Sequence, residues 1–339
     1  MSTVAGAAPA AGYHQSFVRR LGALQLRFPI LQILILAATY AYGVWSLPGL
    51  GTWPSIKLIL VVAALAGLAA TGQTLLILMG GFDLSIAGFI VASGLIVTQV
   101  KEAWGIPFWV ALLVALVTAV AFGAMAGQIC HRLQIQPLIV TLAVGTIVVG
   151  LAQTQTPAGL SYGGNAPDWL VKLASPSTKT FGIDLPPLVA IWIVVAIALT
   201  IFLHRTVPGR QLLATGAQPR AAEYSLIRTR RVWTLTFVFS AVAATFVGLA
   251  VAGFGGAITV DAGNPYLFQS VIAVIVGGTI FGGPGDYLRT ILGALFVTVV
   301  NIVLVGKGVS QAESQIVFGI AILVVVSFYG RERRLRDRM

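Results

Sequence analysis

The sequence predicts an all-α protein of about ten membrane-spanning helices, and three observations carry that prediction. Of 339 residues, 58% are hydrophobic and only 9% charged, with a mean hydropathy of +0.94. A chain so poor in polar residues cannot coat a water-soluble globule. Its apolar residues lie in continuous runs that suit helices of about 20 residues crossing a bilayer, not in the roughly ten-residue alternating segments of a membrane β-barrel. Arginines and lysines, finally, fall into different connecting segments.

In chain order, the stretch 1–28 begins with Ala, Gly, Ser and Pro and has no basic region ahead of an apolar core. It reads as a flexible cytoplasmic tail and not as a cleaved leader, so the first span is retained. Spans are expected at 30–47, 56–79, 84–100, 107–130, 138–153, 187–203, 232–253, 269–281, 290–305 and 312–329, the eighth being short. Residues 29–330 then form one transmembrane domain whose long polar loop covers 204–231, and 331–339 form a basic C-terminal tail.

Alternating through ten spans from a cytoplasmic N-terminus puts all sixteen arginines inside and all five lysines, Lys57, Lys101, Lys172, Lys179 and Lys307, outside. That is a strong positive-inside bias, and it sets both termini in the cytoplasm. The net charge of +11 follows from arginines that face anionic lipid head groups. Nucleic-acid binding would need a basic domain, and none is present. The lone Cys130, at the inner end of a span, has neither a disulfide partner nor metal-ligand spacing and reads as packing.

No Gly-x-x-x-x-Gly-Lys-Ser/Thr motif occurs, so the chain does not hydrolyse ATP through such a loop. The expected spans hold no acidic residue away from an end, and His14, His131 and His204 lie outside them, which leaves an ion relay little to work with. No catalytic cluster is present in the spans, no metal site is expected, and no cofactor is implied. A passive pathway driven by another protein is what remains.

Four blocks carry a more specific signal. In Gly80-Gly81-Phe82-Asp83-Leu84-Ser85-Ile86-Ala87-Gly88, paired glycines let the chain leave helical geometry and turn back into the membrane. Asp83 and Ser85 admit two roles there, a helix cap or a polar gate on the pathway. A second block is Gln136-Pro137-Leu138-Ile139-Val140-Thr141-Leu142. In the third, 209–227, Pro219 suits the start of a short helix, Gln218 stands just before it, and Ala221, Ala222, Leu226 and Ile227 give it an apolar side. Such a helix suits a groove on a partner protein; a solvated basic loop on lipid is the alternative. The fourth block, 277–285, has five glycines and Pro284, with Gly293-Ala294 after it. It reads as a turn in which Pro284 stops the preceding helix, or as a moving hinge, and Asp286 and Arg289 mark the return to the cytoplasmic side.

In this order and spacing the blocks resemble the permease subunit of ribose-type ABC importers of monosaccharides, over about residues 30–329. The resemblance implies location in the bacterial inner membrane, a cytoplasmic ABC ATPase subunit, a second permease copy or paralogue, and a periplasmic sugar-binding protein. It also implies that the 204–231 loop couples to the ATPase through Gly209, Arg210, Gly216, Ala221, Ala222, Ser225 and Ile227, and Glu223, three residues after Arg220 on the short helix, is a further coupling candidate from its place in the loop. Two departures from the family pattern are Leu226, where glycine is usual, and Gln218, where asparagine is usual.

Among the few polar side chains inside the spans, Gln73, Gln99, Gln128, Thr141, Gln153, Thr298 and Asn301 are able to line a sugar pathway or to bond between helices. With Asp83 and Ser85, the residues Gln73, Thr141 and Asn301 are the expected pathway positions. The outward segment 154–186, with Tyr162, Asn165, Asp168 and Trp169, suits either docking of a delivering protein or an interfacial cap, and 254–269 invites the same comparison. An ion-gradient-driven carrier and an ABC permease for branched-chain amino acids or nucleosides are the competing functional readings.

Overall fold

The computed structural model describes residues 29–156 and 165–336. The tail 1–28, the residues 157–164 with Tyr162, and 337–339 lie outside the described residues. Among the described residues all regular structure is helical, apart from one isolated bridge between Thr180 and Ile183. Helices α1 (Ile30–Ser46) and α2 (Trp53–Leu78) come first. Next are α3 (Ile86–Trp104), π-helical over Ile96–Val100, then α4 (Phe108–Leu133) and α5 (Pro137–Thr154). A short α6 (Asp168–Ala174) precedes α7 (Pro187–Arg205). Two further short helices, α8 (Val207–Ala217) and α9 (Pro219–Tyr224), lead to α10 (Thr229–Gly255). The chain ends with α11 (Asn264–Val276), α12 (Tyr287–Gly306) and α13 (Gln311–Arg336), the last running past the boundary drawn at 330.

Seven helices, α2, α3, α4, α5, α7, α10 and α12, are long and apolar enough to cross a membrane. The apolar helix α1, the segment Val260–Val276 that includes α11, and the stretch Gln311–Leu323 of α13 are shorter. Apolar helices therefore appear at all ten expected places, and seven of the ten meet the crossing length within the described residues.

Burial separates centre from rim. In its most apolar stretch α3 is 83% buried inside the protein, against 22% for α4. Helix α2 runs through the middle against α7, α10, α11 and α12, while α3 lies between α5 and α10. Lipid tails are as apolar as leucine, so helices in a membrane gain from close backbone approach at small residues. At Gly88, α3 meets Gly145 of α5 so closely that a side chain on Gly88 would overlap the Gly145 carbonyl.

Both bounds of the eighth span differ from expectation. The eighth span, expected at 269–281, begins at Asn264 and ends at Val276. Pro284 does not end it. Gly278, at φ +95°, lets the chain leave the helix, and Pro284 lies well beyond, its carbonyl accepting from Ile280 N at 3.0 Å.

At the helix ends that carry Lys57, Lys101 and Lys172, the partly exposed Trp45, Trp53, Trp104, Trp109 and Trp169 form a belt. Trp169 stacks on Trp109 with centroids 6.1 Å apart and meets Phe108 edge-on at 5.2 Å. Such a belt suits the head-group level of a membrane. Beside it, Lys57 Nζ at 2.9 Å and Trp53 Nε1 at 2.5 Å donate to Asp184. These donors, Lys57 first, hold the Asp184 carboxyl below the usual carboxylate range.

A Gly88→Leu change forces α3 from α5 and is expected to destabilise by about 1–3 kcal/mol, the usual cost of overpacking. Gly150→Leu, on α5 but with open space beside it, is the neutral control. Thermal unfolding midpoints in one detergent measure both.

Candidate functional site

Helix α2 stops at Leu78, Gly80 takes φ +80°, and the chain runs without helix to Ser85 inside the protein. Backbone amides removed from both water and helix must find other partners. Here side chains from neighbouring helices supply them. Gln73 Oε1 of α2 accepts from Asp83 N at 3.2 Å, and Thr141 Oγ1 of α5 accepts from Leu84 N at 3.0 Å. Asp83 Oδ1 accepts from Ser85 N at 2.8 Å and from the Ser85 hydroxyl. Ser240 Oγ of α10 donates to Asp83 Oδ2 at 2.6 Å.

Four expected pathway residues, Gln73, Asp83, Ser85 and Thr141, thus meet in one buried cluster. Neither Asp83 nor Ser85 makes the expected cap: their side chains accept no amide of the first turn of α3. The Asp83 carboxylate instead joins its own loop to α10. Asn301 stands apart on α12, its Oδ1 buried without a partner among the described residues.

The second break, residues 277–286, packs directly on the first. Gly282 N donates to Ile77 O at 2.8 Å, at the end of α2, and the Phe82 and Phe281 rings lie 4.9 Å apart. Asp286 accepts from Leu288 N at 3.4 Å as a cap for α12, and its other oxygen lies 3.5 Å from His204 Nε2 at the end of α7. Deeper in, Trp192 Nε1 donates to Tyr287 Oη at 3.0 Å, and Tyr287 Oη donates to Gly67 O at 2.7 Å. This chain of bonds ties α7 to α12 and α2.

Residues 204–231 form an arm of two helices where one short helix was expected. Thr206 caps α8, its Oγ1 accepting from Gly209 N at 3.1 Å. The short helix α9 starts at Pro219 as expected, with Gln218 before it, but the Gln218 side chain makes no capping bond. Gly209 lies against the Phe202 carbonyl of α7, and Gly216 against the Leu78 carbonyl of α2, each too close for a side chain. Ala222 is buried, whereas Arg210, Ala221, Glu223 and Ser225 are exposed and Ile227 is half-buried. Glu223 accepts from Thr229 Oγ1 at 3.0 Å, and that hydroxyl lies 3.0 Å from His131 Nε2 of α4. Because the Thr229 proton goes to Glu223, His131 is the donor of the second bond. Tyr224 and Leu226 project from the arm at 88% and 90% exposure.

The model of the family described as "Branched-chain amino acid transport system / permease component" matches residues 55–326, a stretch that includes both breaks and the arm. The chain belongs to this permease family. Curated relatives agree. The permease is 32% identical over 270 residues to the galactofuranose transporter permease protein of Escherichia coli (strain K12), covering 78% of this chain and 76% of the relative. It is 26% identical over 278 residues to the fructose import permease protein of Rhizobium meliloti, covering 80% and 77%. With the ribose import permease protein of Haemophilus influenzae, identity is 27% over 308 residues, covering 88% and 93%. No solved structure matches the permease.

Sequence reasoning missed Ser240, Trp192 and Tyr287, which take part in the permease's buried bonding. A serine in an apolar run gives no signal of its own. The signal was on the partner side, since a carboxylate in a membrane protein must be answered by donors. Ser240→Ala removes one donor to Asp83 and is expected to cost about 1 kcal/mol, whereas Asp83→Ala strands several donors at once and costs about 2–3 kcal/mol or more. Unfolding midpoints of the purified permease should follow that order. Equal losses would mean that the cluster does not share the Asp83 carboxylate.

Proposed function

We propose that this permease is the membrane-spanning subunit of an ATP-driven ABC importer that carries a monosaccharide across the bacterial inner membrane. The substrate class is supported by relatives named for import or transport of fructose, galactofuranose and ribose. The observation that carries the mechanism is the seat of Gly216 on the Leu78 carbonyl, next to the first helix break.

A cytoplasmic ATPase subunit grips the 204–231 arm through Arg210, Ala221, Glu223, Ser225 and Ile227, with Ala222 fixing α9 beneath. Gly209 and Gly216 transmit its motion to α7 and α2, because no side chain separates the helices there. The movable element is the pair of breaks: Gln73, Asp83, Ser85 and Thr141 hold the first, and Ile77, in the last turn of α2, holds the second. Nucleotide and the loaded receptor bias this element by binding its two arrangements unequally. The unpaired Asn301 Oδ1 supports its role as a hydrogen-bonding group for the sugar.

In this reading α1, α11 and α13 complete ten spans with both termini cytoplasmic, a count supported by the separation of arginines from lysines. A second permease, identical or related, closes the pathway. A periplasmic binding protein delivers the sugar at the tryptophan-bearing end. Branched-chain amino acids are the second substrate reading, favoured by the wording of the family description.

The test is uptake by proteoliposomes holding the whole complex from native membranes. Labelled pentose or hexose is expected to enter only with ATP, without effect of sodium or proton ionophores and without competition by leucine. Uptake that survives ATP depletion and collapses with an ion gradient overturns the reading; competition by leucine overturns the substrate class. Gly216→Leu is expected to lower uptake more than tenfold while the partner still hydrolyses ATP, because it parts the arm from α2.

The arm also contains one strained residue. Leu226 adopts φ +61°, a left-handed conformation that costs a non-glycine residue roughly 1–2 kcal/mol. Leu226→Gly should therefore keep uptake and stability, whereas Leu226→Ile should lower the unfolding midpoint, since branching at Cβ worsens the crowding.

A further inference from the structure

A groove of about 740 Å³ lies between α7, α8 and α10, with Leu226 of the arm at its edge and no residue of either break or of α9 itself in its lining. Its floor is Leu75 of α2; Leu199 and Phe202 form one wall, Leu235 and Phe239 the other. Arg228, Arg231 and Gln211 stand at one end, at the level of the arm. The walls open onto exposed apolar surface, with Val194, Ile197 and Ile201 on α7 beside them.

The charge at that end is unbalanced. Among the described residues neither Arg228 nor Arg231 has an ion pair, although Arg230 between them reaches Gln128 Oε1 at 3.3 Å. Glu223, the acid on the arm, is turned away and bonded to Thr229. Eleven residues separate Arg228 from Phe239, roughly 16 Å along a helix. The groove is thus a slot parallel to the helices, apolar along its length and cationic at one end.

We propose that this groove binds an anionic phospholipid, its phosphate between Arg228 and Arg231, with Gln211 beside it, and its acyl chains along the α7 and α10 walls. Basic pockets between membrane helices at the cytoplasmic side favour such head groups. A free anion would leave the apolar walls uncovered. A second copy of the chain seated here about a two-fold axis would bring two further cations to the same end of the interface. Since α7 and α10 flank the arm, a lipid in the slot braces its two roots.

The test reads lipid and not transport, so it stands apart from the importer reading. The purified complex, in nanodiscs of equimolar phosphatidylglycerol and phosphatidylcholine, is released and its retained lipid measured by native mass spectrometry. Preferential retention of phosphatidylglycerol is expected. Arg228→Gln with Arg231→Gln should lower that preference about 30-fold, at roughly 1 kcal/mol for each cation near the surface. The paired lysine variant should keep most of it, which separates lost charge from lost fold. Ala198→Trp fills the slot, leaves both arginines, and should also expel the lipid. Equal retention of the two lipids, an unaffected glutamine variant, displacement by inorganic phosphate, or a cross-link from Leu235 to a second copy instead of lipid would each overturn the proposal.

Discussion

A carboxylate and two polar side chains hold a stretch of unwound chain inside a protein built for lipid. Helices cross a bilayer because they satisfy their own backbone; a chain that leaves the helix there must borrow partners. Residues 83–85 borrow them from Gln73, Thr141 and the Asp83 carboxylate, and Ser240 anchors that carboxylate from α10. Three helices are thereby fixed to one loop. The second break rests on the last turn of α2 through Gly282 and touches the first through the Phe82 and Phe281 rings.

The packing around this centre uses small residues where other proteins use large ones. Gly88 on Gly145 and Gly216 on Leu78 bring backbones together directly, and a backbone contact has no rotamers in which a displacement could be absorbed. The arm is therefore stiffly joined to α2 even though its outer face is exposed. Under the importer reading proposed above, such a joint suits the passage of motion from one surface to another.

The two ends of the molecule are chemically distinct. Tryptophans and lysines collect at one, with Asp184 bridging Trp53 and Lys57. Among the described residues, the arginines of the arm lie at the other. The aromatic end suits a fixed level at the head groups, while guanidinium groups suit phosphate, which is the chemistry invoked for the groove beside α10.

The sequence by itself determined the helical class, the places of ten apolar segments, the separation of arginines from lysines, the turn at Gly80 and the start of α9 at Pro219, because each rests on local chemistry. The gathering of Gln73, Asp83, Ser85 and Thr141 was legible only as a set of candidates, since any polar residue in an apolar run could line a path or bond a neighbour. Tertiary structure brought the four together around one loop, to which Gln73 and Thr141 bond from their helices, and set Asn301 apart from them. It also ended α11 at Val276 ahead of Pro284, because a glycine at φ +95° can stop a helix as well as a proline can. Ser240, the seat of Gly216 and the α8 helix came from contacts between elements far apart in the chain. No local pattern encodes such contacts, for the partner that gives them meaning lies on another helix.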